Sequence, residues 1–278
     1  MEEIEIYKGI RRNIIIISGG GIKGFCALGA IQKLIEKKII VNPEILCGTS
    51  VGGLIAFILN IGYSPHDIYD ITSNIDYDLL VKIDLECLLE DETHIGLNSS
   101  EPFMIIIKAF MREKKINRNI TFRELYLLTK KKLILTGVCL NDMKLYYFSV
   151  DTTPEMEVII ALQITMSIPI IFRPVIYNNK VWVDGAIINN YPIDYFKDRL
   201  EDVIGIFLDE EIKIIENFED MQSYVVRVIQ TAIKGLLNNK MEIYKDYTIK
   251  IKIPKEYCKW NITDNEKKEL FNIGYNSF

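Results

Sequence analysis

Twice within its first 61 residues the chain repeats one arrangement: a short apolar run breaks on glycine and passes straight into a helical pattern. Residues 13 to 18 end at Gly19-Gly20-Gly21, and from Gly24 to Lys38 the side chains of Phe25, Leu28, Ile31, Leu34 and Ile35 fall on one side of a helix. Residues 44 to 47 then run into Gly48-Thr49-Ser50, followed by a second apolar helix from Val51 to about Ile61. Strands rich in Ile that feed helices through tight turns are buried on both faces, which calls for a parallel sheet covered by helices above and below. The expected fold is therefore α/β, three layers (α/β/α) around a mostly parallel central sheet.

The remainder fits that frame. Residues 64 to 130 show no clear strand but several helical stretches, at 65–72, 77–89, 102–112 and 122–129, and predict a cap-like helical insertion after the second helix. Strands resume at 132–140 and 144–150 around the turn Asn141-Asp142, and a helix is expected at 154–166. Residues 175 to 183, broken by Asn178-Asn179, read as a hairpin that delivers Asp184-Gly185. A helix from Pro192, a strand at 203–208, a long helix near 214–238 and a last strand at 247–253 complete the pattern. No repeat or linker divides the 278 residues, of which 49% are hydrophobic, so one domain over 1–278 is expected.

The formal net charge of −5 offers no basic field for nucleic acid, which is excluded as a partner. Five cysteines, Cys26, Cys47, Cys87, Cys139 and Cys258, stand at scattered spacings with no CxxC pair and read as reduced, buried thiols of a cytosolic protein. The first twelve residues alternate acidic and basic groups and lack the apolar stretch of a secretory leader, so no export is expected. Apolar runs such as 54–61 fall well short of the ~20 residues that span a bilayer. The expectation is a cytoplasmic protein whose membrane contact is peripheral, with no metal or other cofactor, because no His/Cys/Asp cluster has metal-ligand spacing.

Gly48-Thr49-Ser50-Val51-Gly52 is a G-x-S-x-G pentapeptide set between a predicted strand and a predicted helix, the context in which such a serine is exposed on a sharp turn. A serine hydroxyl needs a base within hydrogen-bond reach. The chain has two histidines, His66 in the first turn of a predicted helix and His94 in a polar loop, and both read as structural. The α/β-hydrolase order puts histidine after the acid; with none beyond residue 94, that order fits only if the acid lies upstream too. A carboxylate is the other choice, and Asp184, at a strand end before Gly185-Ala186, is the best placed, although Asp-Gly is also a common turn. The run Gly19-Gly20-Gly21-Ile22-Lys23-Gly24 offers successive N–H groups at a helix start, suited to an oxyanion or a phosphate. Gly19, Gly21 and Gly24 also satisfy G-x-G-x-x-G, so spacing alone leaves nucleotide binding open, but the ribose-binding acid would fall near Val41, and the nearest acids are Glu36 and Glu44.

Together these segments resemble the patatin-like phospholipase family, in order along most of the chain. The family's glycine-rich motif, with a basic residue before its last glycine, matches residues 19–24; its nucleophile motif matches residues 48–52. The segment Ser167-Ile168-Pro169 to Phe172-Arg173-Pro174-Val175 is similar to the stretch ahead of the family's acid, and Asp184-Gly185-Ala186, with Asn190 and Pro192 beyond, matches its Asp-Gly motif. One departure is Gln163-Ile164-Thr165, where the family is often alanine-rich, and it is expected to reshape the acyl pocket.

The resemblance implies a patatin-like fold and a metal-free acyl hydrolase of phospholipase A type, acting on phospholipid or other glycerolipid esters at a peripheral membrane surface. Ser50 would be the nucleophile and Asp184 its base, with Gly19, Gly20, Gly21, Gly24 and Val51 forming the oxyanion hole and Lys23 attracting the lipid phosphate or supporting its loop. A small-ester esterase or serine protease, and a non-catalytic lipid-binding or storage protein of the same fold, stay open as other classes. The insertion 64–116, which includes the segment 77–89 with acids among seven apolar residues, is expected to cover the acyl channel and to move or insert at a membrane by apolar area.

Overall fold

The computed structural model describes residues 12–77, 100–211, 214, 217–218, 221–257, 259 and 262–278. Of the insertion expected to cover the channel, residues 78–99, His94 and Cys87 among them, lie outside the described residues, as does Cys258.

The first half alternates strand and helix: β1 (Ile14–Ile17), a 3-10 turn (Gly21–Lys23), α1 (Gly24–Glu36), β2 (Ile45–Gly48) and α2 (Val51–Asn60). Among the described residues of the insertion stand α3 (Pro65–Ser73), α4 (Glu101–Glu113) and α5 (Phe122–Thr129). Both α3 and α5 open on a capping box, Ser64 with Asp67 and Thr121 with Glu124, in which side chain and backbone satisfy each other's orphan groups. Then come β3 (Lys132–Cys139), β4 (Lys144–Phe148), α6 (Val158–Thr165), β5 (Val175–Tyr177), β6 (Lys180–Asp184) and the short α7 (Ala186–Asn189). A 3-10 segment (Pro192–Asp202), kinked at Phe196 and Arg199, leads to β7 (Val203–Glu210), α8 (Met221–Ile243), β8 (Thr248–Ile253) and α9 (Asp264–Tyr275).

The helix expected at 154–166 starts only at Val158. Residues 154 to 157 are occupied by the start of α5: the N–H groups of Phe122 and Arg123 donate to the carbonyls of Met156 and Pro154, and Thr121 bridges Glu157. The long helix sits further along the chain than expected, at Met221–Ile243, and the helix expected from Pro192 is 3-10 rather than α.

Eight strands form one mixed sheet in which β5, β6, β3, β2, β1, β7 and β8 succeed one another, with β4 also on β3. β3, β2, β1, β7 and β8 run parallel, while β4, β5 and β6 are antiparallel to their neighbours. Leu135 of β3 faces both Gly48 and Phe148, so β2 and β4 flank opposite edges of β3; Gly137 faces both Tyr146 and Asp184, so β4 and β6 are opposed as well. β2 and β6 therefore share one edge of β3 and approach each other end to end, β2 stopping level with Leu135 and β6 level with Gly137.

Helices cover both faces. Ile15 and Ile17 of β1 pack into the larger core with α1, α2, α4, α6 and α9, and Ile14 and Ile16 face the smaller one with Tyr191, Ile193, Phe196 and Leu237. The period-two alternation of β1 thus serves two cores, as a strand buried on both sides must. Lys267 of α9 is buried, and its ammonium caps the end of α3 by donating to the carbonyls of Ser73 (2.7 Å) and Ile75 (2.9 Å).

The tightest helix contact joins α9 to α1. A Cβ on Gly29 would overlap the Phe271 carbonyl oxygen, and one on Gly274 would overlap that of Cys26. Neither obstacle is a flexible side chain, so the helices would have to separate. Gly29→Ala and Gly274→Ala should each lower stability by about 2 kcal/mol or more, as overpacking does. Gly235→Ala, in open space on α8, should instead raise it by roughly 0.5 to 1 kcal/mol through helix propensity. Thermal melts of the three variants check the contrast.

Candidate functional site

The turn between β2 and α2 holds Ser50 at φ 56°, ψ −132°, a conformation rarely adopted by a residue with a Cβ. Three contacts enforce it. A Cβ on Gly52 would strike the carbonyl oxygens of Ile17 and Ser18, so only glycine lets α2 start this close to β1. The Ser50 N–H donates to Thr165 Oγ1 (3.0 Å), and Thr136 Oγ1 donates to Thr49 Oγ1 (2.8 Å). Gln163, Ile164 and Thr165, where the sequence departs from the family, do not line the cleft; Thr165 is buried and fixes the serine turn from behind.

Asp184 is the last residue of β6. Its N–H donates to the Ser167 carbonyl (2.9 Å), and with 1% exposure the side chain is sealed from solvent. Its Oδ1 accepts from the Ala186 N–H (2.8 Å), and the Ser50 hydroxyl is the other group that favours the ionised form. Oδ2 is buried with no partner at full hydrogen-bond geometry, which leaves it as the oxygen open to the Ser50 proton. Burial outweighs both stabilising groups and pushes the carboxyl up to about 7.

The glycine run curls beside this pair. Gly19 N–H donates to the Asn190 carbonyl (3.1 Å) and Gly24 N–H to carbonyls in its own 3-10 turn, so neither is available as an oxyanion donor, contrary to the expectation from sequence. Among the described residues no acceptor engages the N–H groups of Gly20, Gly21 or Val51. The Lys23 ammonium lies 2.9 Å from Glu210, an ion pair that ties the loop to the end of β7. With that partner it is not a free cation, which favours loop support over phosphate attraction. Asn190, read only as a motif continuation, also donates from Nδ2 to the Gly19 carbonyl (3.3 Å) and so joins the glycine loop to the Asp184 loop.

From Ser50 a cleft of about 820 Å³, its mouth included, extends between α1, α2, α3 and α4. Gly21 and Ser50 stand at one end, and Leu28, Ile55, Ile58, Ile68, Phe110 and Phe172 make the walls apolar. Asp184 does not line it; the carboxylate reaches the cleft only through Ser50. His66 is exposed on α3, where Nδ1 pairs with Asp70 (3.0 Å). No group of three His, Cys, Asp or Glu residues gathers as a metal site among the described residues.

A family model described as Patatin-like phospholipase matches residues 15–197. A probable lipid hydrolase, 463L of Invertebrate iridescent virus 6, is 39% identical over 183 residues, 65% of this chain and 61% of that protein. The uncharacterized protein R571 of Acanthamoeba polyphaga mimivirus is 30% identical over 95% of this chain and 91% of its own length. Among solved structures, VipD of Legionella pneumophila matches with a TM-score of 0.69 at 18% identity, over 96% of this chain and 66% of that one. ExoU, a type III effector of Pseudomonas aeruginosa, matches with a TM-score of 0.52 at 14% identity, over 96% and 52%. These two show likeness of fold. The chain spans about three fifths of the iridescent virus protein and about half of ExoU.

A carboxyl raised in the folded state from 3.8 to about 7 holds its proton where the unfolded chain has lost it. Stability from this group is fully present at pH below 3.8, falls as pH rises between the two values, and stays low above about 7. The cost above pH 7 is on the order of 4 kcal/mol at most. Asp184→Asn removes the buried charge and should raise Tm at pH 8 by about 4 °C or more, with the gain shrinking toward pH 4. Melting curves of both proteins across that range check it.

Proposed function

The chain belongs to the patatin-like phospholipase family, and from that premise we propose that it is a lipid acyl hydrolase in which Ser50 and Asp184 act as a catalytic dyad. The observation that carries this reading is the strained serine at the polar end of an apolar cleft, backed by a buried carboxylate with one free oxygen. Asp184 Oδ2 takes the Ser50 proton as the hydroxyl oxygen attacks the ester carbonyl, and the N–H groups of Gly20, Gly21 and Val51 hold the oxyanion. Collapse of that intermediate expels the alcohol, which leaves with the proton from Asp184, and forms an acyl-serine. Water then attacks the acyl-serine with Asp184 again as base, releasing the fatty acid.

Physical magnitudes favour these roles. A base with a pKa near the working pH transfers protons most effectively, and burial brings the Asp184 carboxyl into that range. Oxyanion donors are worth roughly 3 to 4 kcal/mol each where they have been removed. From Ser50 to Ile58 the wall follows α2 for about 12 Å at 1.5 Å per residue, close to the ~15 Å that one leaflet contributes to a bilayer core. The cleft thus suits most of one long acyl chain, and a phospholipase A type of cleavage of glycerolipids is the reaction it fits. Substrate is taken from a lipid surface by peripheral contact; no helix among the described residues is long and apolar enough to cross a membrane.

Incubation with a fluorophosphonate probe should label Ser50, and glycerolipid vesicles should release fatty acid. Ser50→Ala should lose both, and Asp184→Asn should lose at least 100-fold in kcat/KM, about 2.7 kcal/mol of barrier. For the wild type, kcat/KM should climb tenfold per pH unit below about 7 and level off above it, as Asp184 ionises. Activity in Ser50→Ala within about tenfold of wild type, or a profile flat between pH 5 and 8, would remove the dyad.

A further inference from the structure

The dyad partners arrive on two strands that meet head to head along one edge of β3, with Thr136 between the two junctions, at Leu135 and Gly137. No hydrogen-bonded ladder runs directly from β2 to β6, so the gap between Ser50 and Asp184 has to be fixed by something else. Resting on the Ser50–Asp184 reading above, we propose that Thr136 and Thr49 are positioning residues whose hydroxyl relay sets that gap.

The relay is continuous and directional. Thr136 Oγ1 donates to Thr49 Oγ1 at 2.8 Å, and Thr49 Oγ1 donates to the Asn189 carbonyl at 3.2 Å. Each hydroxyl spends its single proton in the same sense, and both threonines are fully buried, so water has no access to substitute. Thr49 is bonded to Ser50, and Asn189 ends α7, the helix that follows Asp184 and Gly185. Thr136 also packs straight onto the base's neighbour: a Cβ on Gly185 would overlap Thr136 Oγ1.

The far end of the relay is itself immobilised. Asn189 Nδ2 donates to Tyr147 Oη (3.2 Å) and to Asp194 Oδ1 (3.0 Å), while its Oδ1 accepts from the Lys240 ammonium (2.7 Å). Lys240 reaches in from α8 and is also bound to Asp194 at 2.7 Å. A shift of Asn189 therefore has to break charge-assisted bonds, and the relay passes that rigidity to the serine turn.

None of Thr49, Thr136 or Asn189 lines the cleft, so the relay acts on the reacting atoms without touching the acyl chain. Its removal should appear in kcat and leave KM in place. The two hydroxyls act in series, so losing both should cost little more than losing the more important one.

The full chain is assayed on a soluble short-chain p-nitrophenyl ester as wild type, Thr136→Val, Thr49→Val, the double valine variant, Thr136→Ser and Thr49→Ser, with active sites counted by fluorophosphonate labelling. The valine variants should lose about 10- to 100-fold in kcat per active site, the cost of misplacing a reacting group by a fraction of an ångström to an ångström. KM should stay within about twofold, the serine variants should keep most of kcat, and the double variant should match the worse single one. Wild-type kcat in Thr136→Val, serine variants as impaired as valine ones, or a loss accounted for by fewer active sites and a lower Tm would overturn the relay. A wild type that neither labels nor hydrolyses the ester would instead overturn the Ser50–Asp184 chemistry, a result distinct from any of these.

Discussion

Everything at this site follows from the way β3 is shared. One edge of a strand offers a fixed row of donors and acceptors, and here β2 uses the first part of the row in the parallel sense and β6 the last part in the antiparallel sense. The chain between them can be of any length, because the register of each strand on β3 places its end. Ser50 and Asp184, 134 positions apart in the chain, become neighbours because both strands stop at the same point on a third. β4 on the other edge of β3 keeps this strand in place and leaves the shared edge free.

Two costs are held at that junction. The serine sits in a backbone conformation that side chains avoid, of order 1 to 3 kcal/mol, and the carboxyl is buried where its charge is poorly solvated. Both persist because the surroundings leave no alternative: Gly52 is clamped by β1 carbonyls, Thr165 holds the Ser50 N–H, and the Ser167 carbonyl holds the Asp184 N–H. The cleft on the other side of Ser50 is lined mainly by apolar residues, so the polarity of the site is confined to a few groups.

Much of this was legible in the sequence because it depended on local pattern. The Ile-rich run of β1, the glycine breaks, the hairpin around Asn178-Asn179 and the pentapeptide around Ser50 each state their structure within a few residues. What was not legible depends on partners far away in the chain. Gly19 and Gly24 look as apt for an oxyanion as Gly20 and Gly21, and only the Asn190 carbonyl and the 3-10 turn separate them. Lys23 resembles a free cation until Glu210 is seen beside it. Thr49, Thr136 and Thr165 carry no motif that would single them out. The last helix, α9, was passed over although Thr263 and Glu266 spell a capping box, a local signal that was there to be used.

The clasp of α9 on α1 bears on the order in which the site is closed. Residues 15–197 match the family, but β7 and β8 extend the sheet beyond β1, Leu208 packs against Gly20, and Gly274 lies against Cys26, two residues into the helix that the glycine loop begins. The loop that would receive the oxyanion is thus closed by residues far along the chain from it. On the ribosome the serine turn and the carboxylate strand emerge before the parts that close around them, so the nascent chain carries both groups before their enclosure exists.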